Sequence, residues 1–172
     1  MECNREADGI GLPSDAKGLP MLELVDVDER NWLDIRGLSV GDGQEGFLDS
    51  ALGIIARGYV YRDCRARVIG IAEDGAIVGV ALVKDLDEEP ACYDLQQFMI
   101  DRRFQGRGLG TRALGMILSE LEREGKYGCV EVCVKKDDAA ALRVYTKAGF
   151  IDTGYVDDEA PDCLNLMYRF GR

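Results

Sequence analysis

The sequence predicts an α/β fold in one domain that covers residues 21–172. Three observations support this prediction. Segments with alternating apolar side chains, typical of strands, are interspersed with segments of helical periodicity. The pair Asp74-Gly75 joins two apolar segments and is typical of a tight hairpin. A glycine-rich segment, RFQGRGLGTR (103–112), separates a strand pattern from a helix pattern.

The first elements follow from residues 21–57. Residues 21–27 (MLELVDV) alternate apolar and polar side chains, which predicts a strand. Asp28 is expected to cap a helix whose apolar positions include Ile35 and Leu38. A second helix is predicted over 45–57, where apolar residues recur at helical spacing.

Three strands are predicted next. Residues 66–73 and 76–84 form the hairpin around Asp74-Gly75. A polar loop is expected over 84–90, and a longer strand over 91–100.

The remaining elements alternate again. The periodicity predicts a helix over 109–124, a strand over 129–134, a helix over 137–150, a strand from Phe150 and a last strand over 163–170. Residues 1–20 contain three glycines and two prolines and indicate a flexible N-terminal tail with no assigned function.

The charge of the chain limits its partners. The formal net charge is −11, from 21 Lys and Arg and 32 Asp and Glu. Because nucleic-acid binding needs a basic surface, this charge argues against DNA or RNA as a partner. It is compatible with a small cationic substrate, which an acidic cleft attracts. Alternatively, the acidity serves solubility alone.

Composition also indicates the compartment and the available chemistry. No apolar run approaches the ~20 residues of a membrane span, and no signal-peptide pattern is present, so we expect a cytoplasmic protein without membrane contact. The six cysteines form no C-x-x-C pair, which is typical of a reducing compartment. The chain has no histidine, so we expect no metal site, and catalysis would depend on carboxylates, Tyr, Lys, Cys or bound water.

The glycine-rich segment predicts an anion site. A loop between a strand and a helix presents unpaired N–H groups and the positive end of the helix dipole. A nucleotide P-loop would need Gly-Lys-Ser/Thr, but the chain has Gly110-Thr111-Arg112. A dinucleotide fingerprint would need glycine at Thr111, although Glu131 lies where a ribose-binding acid would follow.

The pattern that remains resembles a known family. Gln105 to Gly110, preceded by FMID (98–101), resembles the acetyl-CoA signature of the GNAT superfamily of N-acetyltransferases. AALRVYTKAGF (140–150) resembles the helix and Gly-Phe turn at the end of that fold's core. The segments GQEGFLDS, RARVIGIAEDGAIVG and LQQFMIDRRFQGRGLG resemble the bacterial diamine (spermine/spermidine) acetyltransferases.

This resemblance implies both a fold and an activity. The fold would have a mixed, mostly antiparallel sheet of six to seven strands, flanked by four helices and splayed between the fourth and fifth strands. The activity would be direct transfer of an acetyl group, in a ternary complex, from acetyl-CoA to a primary amine of a small cationic acceptor such as spermidine or spermine. A homodimer is also implied. The alternatives are a non-catalytic CoA-binding module, or an acceptor that is an aminoglycoside, an amino acid or a protein amine.

The resemblance also implies how the cofactor is held. Backbone groups of the splayed strand would pair with the pantetheine arm, and one N–H, from Met99 or a neighbour, would bind the thioester oxygen. The glycine-rich segment would bind the pyrophosphate. Asp138 lies where the family often has an Asn that contacts pantetheine; its competing role is to cap the helix. The implied cofactor residues are Phe98, Met99, Ile100, Gln105, Gly106, Arg107, Gly108, Leu109, Gly110, Thr111 and Asp138.

The implied proton donor and acceptor are Tyr145 and Asp94. Tyr145 matches the family's tyrosine near the leaving sulfur. Because the pKa of a thiol is ~8.5 and that of a phenol is ~10, unassisted proton donation from Tyr145 to the thiolate is uphill by about 2 kcal/mol. The amine, with a pKa near ~10.4, needs a base. Related animal polyamine enzymes have Glu where this chain has Gln96, so Asp94, two residues earlier, is the nearest substitute; alternatively it is an exposed strand residue. The implied acceptor contacts are Glu29, Gln44, Glu45 and Gln96.

Overall fold

Seven strands and four α-helices alternate along residues 20–171, the part of the chain that the computed structural model describes. The predicted tail lies outside this range except for Pro20. The elements, in order, are β1 (Leu22–Asp26), α1 (Trp32–Arg36), α2 (Ala51–Val60), a 3₁₀ turn (Arg62–Cys64), β2 (Arg67–Glu73), β3 (Ala76–Leu86), β4 (Cys92–Ile100), α3 (Leu109–Glu124), β5 (Cys129–Lys135), α4 (Ala139–Ala148), β6 (Ile151–Asp152) and β7 (Cys163–Arg169).

All strands belong to one mixed sheet in the order β1-β2-β3-β4-β5-β7-β6. Neighbouring strands are antiparallel except β4 and β5, which run parallel. Asp74 and Gly75 both have positive φ, 51° and 80°, as a tight hairpin between β2 and β3 requires. The predicted α/β class, element order and sheet type are confirmed.

The sheet opens between β4 and β5. These strands pair at only two positions, Tyr93 with Val130 and Asp94 with Glu131, and residues 95–100 of β4 have no partner on β5. The predicted splay between the fourth and fifth strands is therefore confirmed.

A bulge in the β3–β4 ladder changes which face the β4 side chains occupy. Leu82 pairs with Gln97 and Val83 with Leu95, so Gln96 has no register partner on β3. Leu95 packs in the core under α3 and α4, whereas Met99 packs under α1 and α2. Without the bulge, period-two alternation would put both side chains on one face.

Two apolar layers enclose the sheet. On one face, α3 and α4 pack over a core that contains Leu114, Ile117, Val132, Tyr145 and Phe150. On the other face, α1 and α2 pack over a smaller core that contains Ile35, Ile54, Val80, Leu82 and Met99.

Three predicted boundaries are wrong. Asp28 does not cap α1: its carboxylate bonds Arg30, and Asn31 occupies the N-cap position. The second helix begins at Ala51 instead of 45, because Ser50 Oγ accepts from the Gly53 N–H and fixes the N-cap there. β3 continues to Leu86, since its pairing with β4 extends into the predicted polar loop.

Candidate active site

A cleft of about 390 Å³ lies beside the open edge of β4. Its walls are the last part of β4, the glycine-rich loop with the first turn of α3, and one side of α4. The predicted cofactor residues that line it are Phe98, Met99, Ile100, Gln105, Gly106, Gly108, Leu109, Gly110, Thr111 and Asp138. Tyr145 and Gln44 line the same cleft.

The N-terminus of α3 is arranged to receive an anion. Gly106 and Gly108 have φ values of 76° and 78°, in the left-handed region that favours glycine. No side chain of a described residue caps the helix, and its first turn has no acidic residue. The first helical N–H groups therefore stay available to a ligand oxygen, and the helix dipole favours negative charge there.

The open edge of β4 offers backbone groups of its own. The Asp101 N–H donates to the Val78 carbonyl at 2.9 Å. This bond shows which residues of β4 direct their backbone groups to β3. In an antiparallel ladder, every second residue turns its N–H and C=O away from the partner strand. Those groups of Phe98 and Ile100 therefore point to the open edge, and the N–H of Met99 points to β3.

Tyr145 presents its hydroxyl within a largely apolar setting. The residue is 5% exposed, and its ring packs against Phe98 and Phe150 with centroid distances of 6.5 and 5.3 Å. Burial, and then the charge of Asp138, raise the pKa of Tyr145 well above its usual value. The side chain therefore keeps its proton at neutral pH, and its hydroxyl makes no hydrogen bond to another described residue.

Comparison with known families identifies the chain. The family model described as "Acetyltransferase (GNAT) family" matches residues 32–150, from α1 to the end of α4. The chain belongs to the GNAT family.

Two curated relatives illustrate the range of this GNAT protein's similarity. It is 29% identical over 94 residues to a spermine/spermidine N(1)-acetyltransferase of Bacillus subtilis (strain 168), covering 52% of this chain and 62% of the relative. It is 33% identical over 87 residues to the N-alpha-acetyltransferase RimI of Mycobacterium tuberculosis (strain ATCC 25618 / H37Rv), covering 50% of this chain and 52% of the relative. The match thus spans between half and two thirds of each relative.

Solved structures share the fold over most of their length. Spermidine N-acetyltransferase from Vibrio cholerae, in complex with CoA and spermine, superposes with a TM-score of 0.69 at 14% identity, covering 86% of this chain and 95% of that one. The yncA protein from Salmonella typhimurium, with its cofactor acetyl-CoA, superposes with a TM-score of 0.63 at 16% identity, covering 88% of this chain and 95% of that one. At these identities the likeness concerns the fold alone.

The residues of the cleft fit a coenzyme A derivative. A Cβ at Gly106 or Gly108 would meet no atom within 4 Å, so open space lies in front of the backbone where a phosphate would approach. The uncapped N-terminus of α3 supplies donors for a diphosphate, and the free edge of β4 supplies a donor and acceptor pattern for an amide-containing arm.

A loop between α1 and α2 is fixed against this cleft. The Arg102 N–H donates to the Ser39 carbonyl at 2.8 Å, and the Ser39 N–H donates to Asp101 Oδ2 at 3.0 Å. Gln105 Nε2 donates to Gln44 Oε1 at 2.9 Å and to the Ile100 carbonyl at 2.9 Å. The same segment therefore contacts both the glycine-rich loop and the residues that directly follow β4.

Asp94 lies outside the cleft lining, on the face of β4 opposite the α3–α4 core. Its Oδ2 is 3.4 Å from Lys84 Nζ, and the two side chains are 22% and 14% exposed. Burial raises the pKa of Asp94, although Lys84, a hydrogen bond from Gln96 and the charge of Arg57 oppose the shift. Asp94 is therefore not the exposed strand residue of the alternative interpretation.

Several predicted site residues lie elsewhere. Glu29 and Glu45 are exposed, and Glu45 accepts a hydrogen bond from the Gly43 N–H. Arg107 pairs through its guanidinium with Glu73 at 2.8 Å and does not line the cleft. Asp138, in contrast, lines the cleft, and it also caps α4 by accepting from the Ala141 N–H at 3.0 Å.

Gln96 lies beside Asp94 and also outside the cleft lining. Its Oε1 atom is buried and accepts no hydrogen bond from a described residue.

The sequence interpretation missed three residues. Asp101 is almost fully buried and accepts from Ser39 and Arg103, and its position after an apolar strand was the signal for it. Lys84 was assigned to a strand end and a loop. Glu131 enters the sequence analysis only as the position of a ribose contact, yet it is the register partner of Asp94.

Proposed function

We propose that this GNAT protein transfers an acetyl group from acetyl-CoA to a primary amine of a small cationic acceptor of the polyamine class. One observation carries the proposal: the free edge of β4, the glycine-rich start of α3, which no described side chain caps, and the Tyr145 hydroxyl, which bonds no described residue, meet in one cleft. These are a backbone pairing edge, an anion site and a proton donor, which acyl transfer from a coenzyme thioester needs.

Each group has a defined task in this proposal. Acetyl-CoA, when bound, supplies an activated acyl carbon and a thiol leaving group. The N–H groups at the start of α3 hold its diphosphate, and an open-edge N–H of Phe98 or Ile100 stabilises negative charge on the acyl oxygen. Tyr145 Oη donates a proton to the departing sulfur. Asp94 takes a proton from the acceptor nitrogen.

The polyamine class is favoured by charge and by relatives. The net charge of −11 attracts a polycation, and a curated relative and a structural neighbour are spermine or spermidine acetyltransferases. Protein N-terminal amines are the second candidate, because an N-alpha-acetyltransferase is 33% identical over 87 residues. Lys84 also neutralises Asp94, which leaves one carboxylate fewer for a polycation.

The test measures thiol release from acetyl-CoA with a panel of acceptors. Spermidine, spermine and putrescine are compared with an aminoglycoside, free amino acids and a peptide that begins with alanine. We expect the highest kcat/KM with a polyamine, and mass spectrometry should find one added acetyl group on it. A preference for the peptide would favour protein N-terminal amines as the acceptor. CoA binding without turnover on any amine would favour the non-catalytic CoA-binding module. A cytoplasmic location and a homodimer stay predictions.

A further inference from the structure

Two carboxylates stand side by side where the sheet begins to open. Asp94 and Glu131 are partners at the last paired position of the parallel β4–β5 ladder. Paired residues of adjacent strands, ~4.8 Å apart, project to the same face of a sheet. Val130 and Val132 alternate with Glu131 and pack in the α3–α4 core, so both carboxylates lie on the opposite face.

This face is opposite to the one that holds Tyr145. Tyr145 packs in the α3–α4 core, and the opening between β4 and β5 separates it from the two carboxylates. A proton acceptor and a proton donor therefore flank the opening from its two sides. An amine that enters from the side of the carboxylates would meet them before it reaches the cleft.

The surrounding charges act on the two carboxylates in opposite directions. Burial raises the pKa of Asp94, whereas Lys84 on β3 and Arg57 on α2 favour its ionised form. Burial also raises the pKa of Glu131, and the charges of Asp94 and of Asp157, from the segment between β6 and β7, raise it further. The first proton that reaches this site is therefore held more tightly than by an ordinary carboxylate.

An unpaired acceptor adjoins the same site. The side-chain amide of Gln96 lies next to Asp94 and favours its ionised form, and its Oε1 atom is buried without a hydrogen-bond donor among the described residues. Buried amide oxygens normally have a partner, so this atom marks a place where a ligand N–H group would be favourable.

We propose that Asp94 and Glu131 form one proton-accepting pair, which takes a single proton from the ammonium group of the acceptor and shares it. This inference rests on the proposed acetyltransferase function. The N–H bond of the ammonium breaks, its electron pair stays on nitrogen for the attack, and the proton joins a carboxylate oxygen. A lone carboxylate with a pKa near ~4 is a poor base for an amine with a pKa near ~10.4, and a second negative charge on the paired residue of the adjacent strand raises its proton affinity.

The test compares the pH profiles of kcat/KM for two variants that we expect to shift the acidic limb in opposite directions. In Glu131→Gln the neighbouring negative charge is lost, so we expect the acidic limb to move to lower pH by about one unit, a tenfold change in proton concentration. In Lys84→Met the positive neighbour is lost, so the limb should move to higher pH by a similar amount. Glu122→Gln removes an exposed helix carboxylate that has no ion pair with a described residue, and should leave the profile unchanged.

A second measurement does not depend on turnover. Because the folded protein raises the pKa of Glu131, this carboxyl contributes stability below its usual pKa that is lost as pH rises through the folded value. The urea midpoint of Glu131→Gln, relative to that of the wild type, should therefore rise between pH 4 and pH 7. The proposed pair would be overturned if the urea midpoints of wild type and Glu131→Gln change with pH in parallel. It would also be overturned if the acidic limbs of the Glu131→Gln and Lys84→Met profiles move in the same direction.

The two measurements separate the pair from the proposed function. A wild-type protein that releases no thiol with any amine overturns the acetyltransferase proposal, and the unfolding curves then still report whether the folded protein raises the pKa of Glu131. CoA affinity within twofold of wild type in every variant shows that the fold and the cofactor cleft are intact.

Discussion

The side-chain amide of Gln105 donates a 2.9 Å hydrogen bond to Gln44 Oε1, although the two residues are 61 positions apart. Gln44 Oε1 also accepts from the Gly41 N–H at 2.9 Å. One oxygen atom thus links the loop between α1 and α2 to the glycine-rich loop. Because Gln44 and Gln105 both line the cleft, the contact joins two of its walls.

This link can be tested with a matched pair of variants. Gln44→Ala removes the shared acceptor, and since one such bond contributes about 1 kcal/mol, we expect the Kd of CoA to rise about fivefold. Gln44→Glu keeps an acceptor oxygen for both N–H groups, and at about 1 M salt, which screens the negative charge that it adds to the cleft, its Kd should stay within twofold of wild type. Isothermal titration calorimetry measures both. Equal weakening in the two variants would show that the hydrogen bonds are not the cause.

The hydroxyl of Tyr145 is expected to matter for turnover alone. Tyr145→Phe keeps the ring contacts with Phe98 and Phe150 and removes an oxygen that has no hydrogen-bond partner among the described residues. We expect kcat to fall about 10²- to 10⁴-fold, the range of general acid catalysis, with CoA affinity unchanged. Steady-state kinetics and calorimetry give the two values. A variant with wild-type kcat would exclude the proposed proton donor.

Two glycines of the same region should respond to alanine in opposite ways. Gly108→Ala forces a side chain into left-handed backbone, at a cost of about 1–2 kcal/mol, and should weaken CoA binding as the loop shifts. Gly115→Ala lies in the middle of α3, where an added Cβ meets nothing within 4 Å, and should stabilise the protein by about 0.5–1 kcal/mol. Urea unfolding and CoA titration of both proteins check this, and a stabilised Gly108→Ala protein would contradict the role of the left-handed turn.

Asp101 should make stability depend on pH in the acidic range. Burial of its carboxyl opposes ionisation, but hydrogen bonds from the Arg103 side chain and from the Arg103 and Ser39 N–H groups outweigh it and hold its pKa below the usual value. A lowered pKa gives stability that is present above the unfolded value and lost as pH falls through the folded one. Asp101→Asn should therefore lower the free energy of unfolding by about 1–3 kcal/mol near pH 7, and by less below pH ~4. A constant difference from pH 7 to pH 3 in urea unfolding would refute this.

Much of the fold follows from local sequence, and α3 is the clearest case. Its predicted bounds, 109–124, agree with the structure because Gly108 and Gly125 flank it, both with positive φ, and its apolar positions repeat at helical spacing. The hairpin at Asp74-Gly75 follows from turn conformation in the same way. The predicted start of the second helix is too early because the apolar spacing extends before Ala51, whereas turns fixed by contacts with Gln44 and Gln97 hold residues 41–49 outside the helix.

The sequence by itself determined the order of the elements and the glycine-rich start of α3, because periodicity, capping and left-handed turns are properties of neighbouring residues. Only the tertiary structure decided that Glu131 lies beside Asp94 and that Arg107 turns away to Glu73. The register of β4 on β5 sets the first contact, and the place of the glycine-rich loop beside the end of β2 sets the second. Register joins segments that are distant in the chain, and it depends on how the whole sheet packs between its helices.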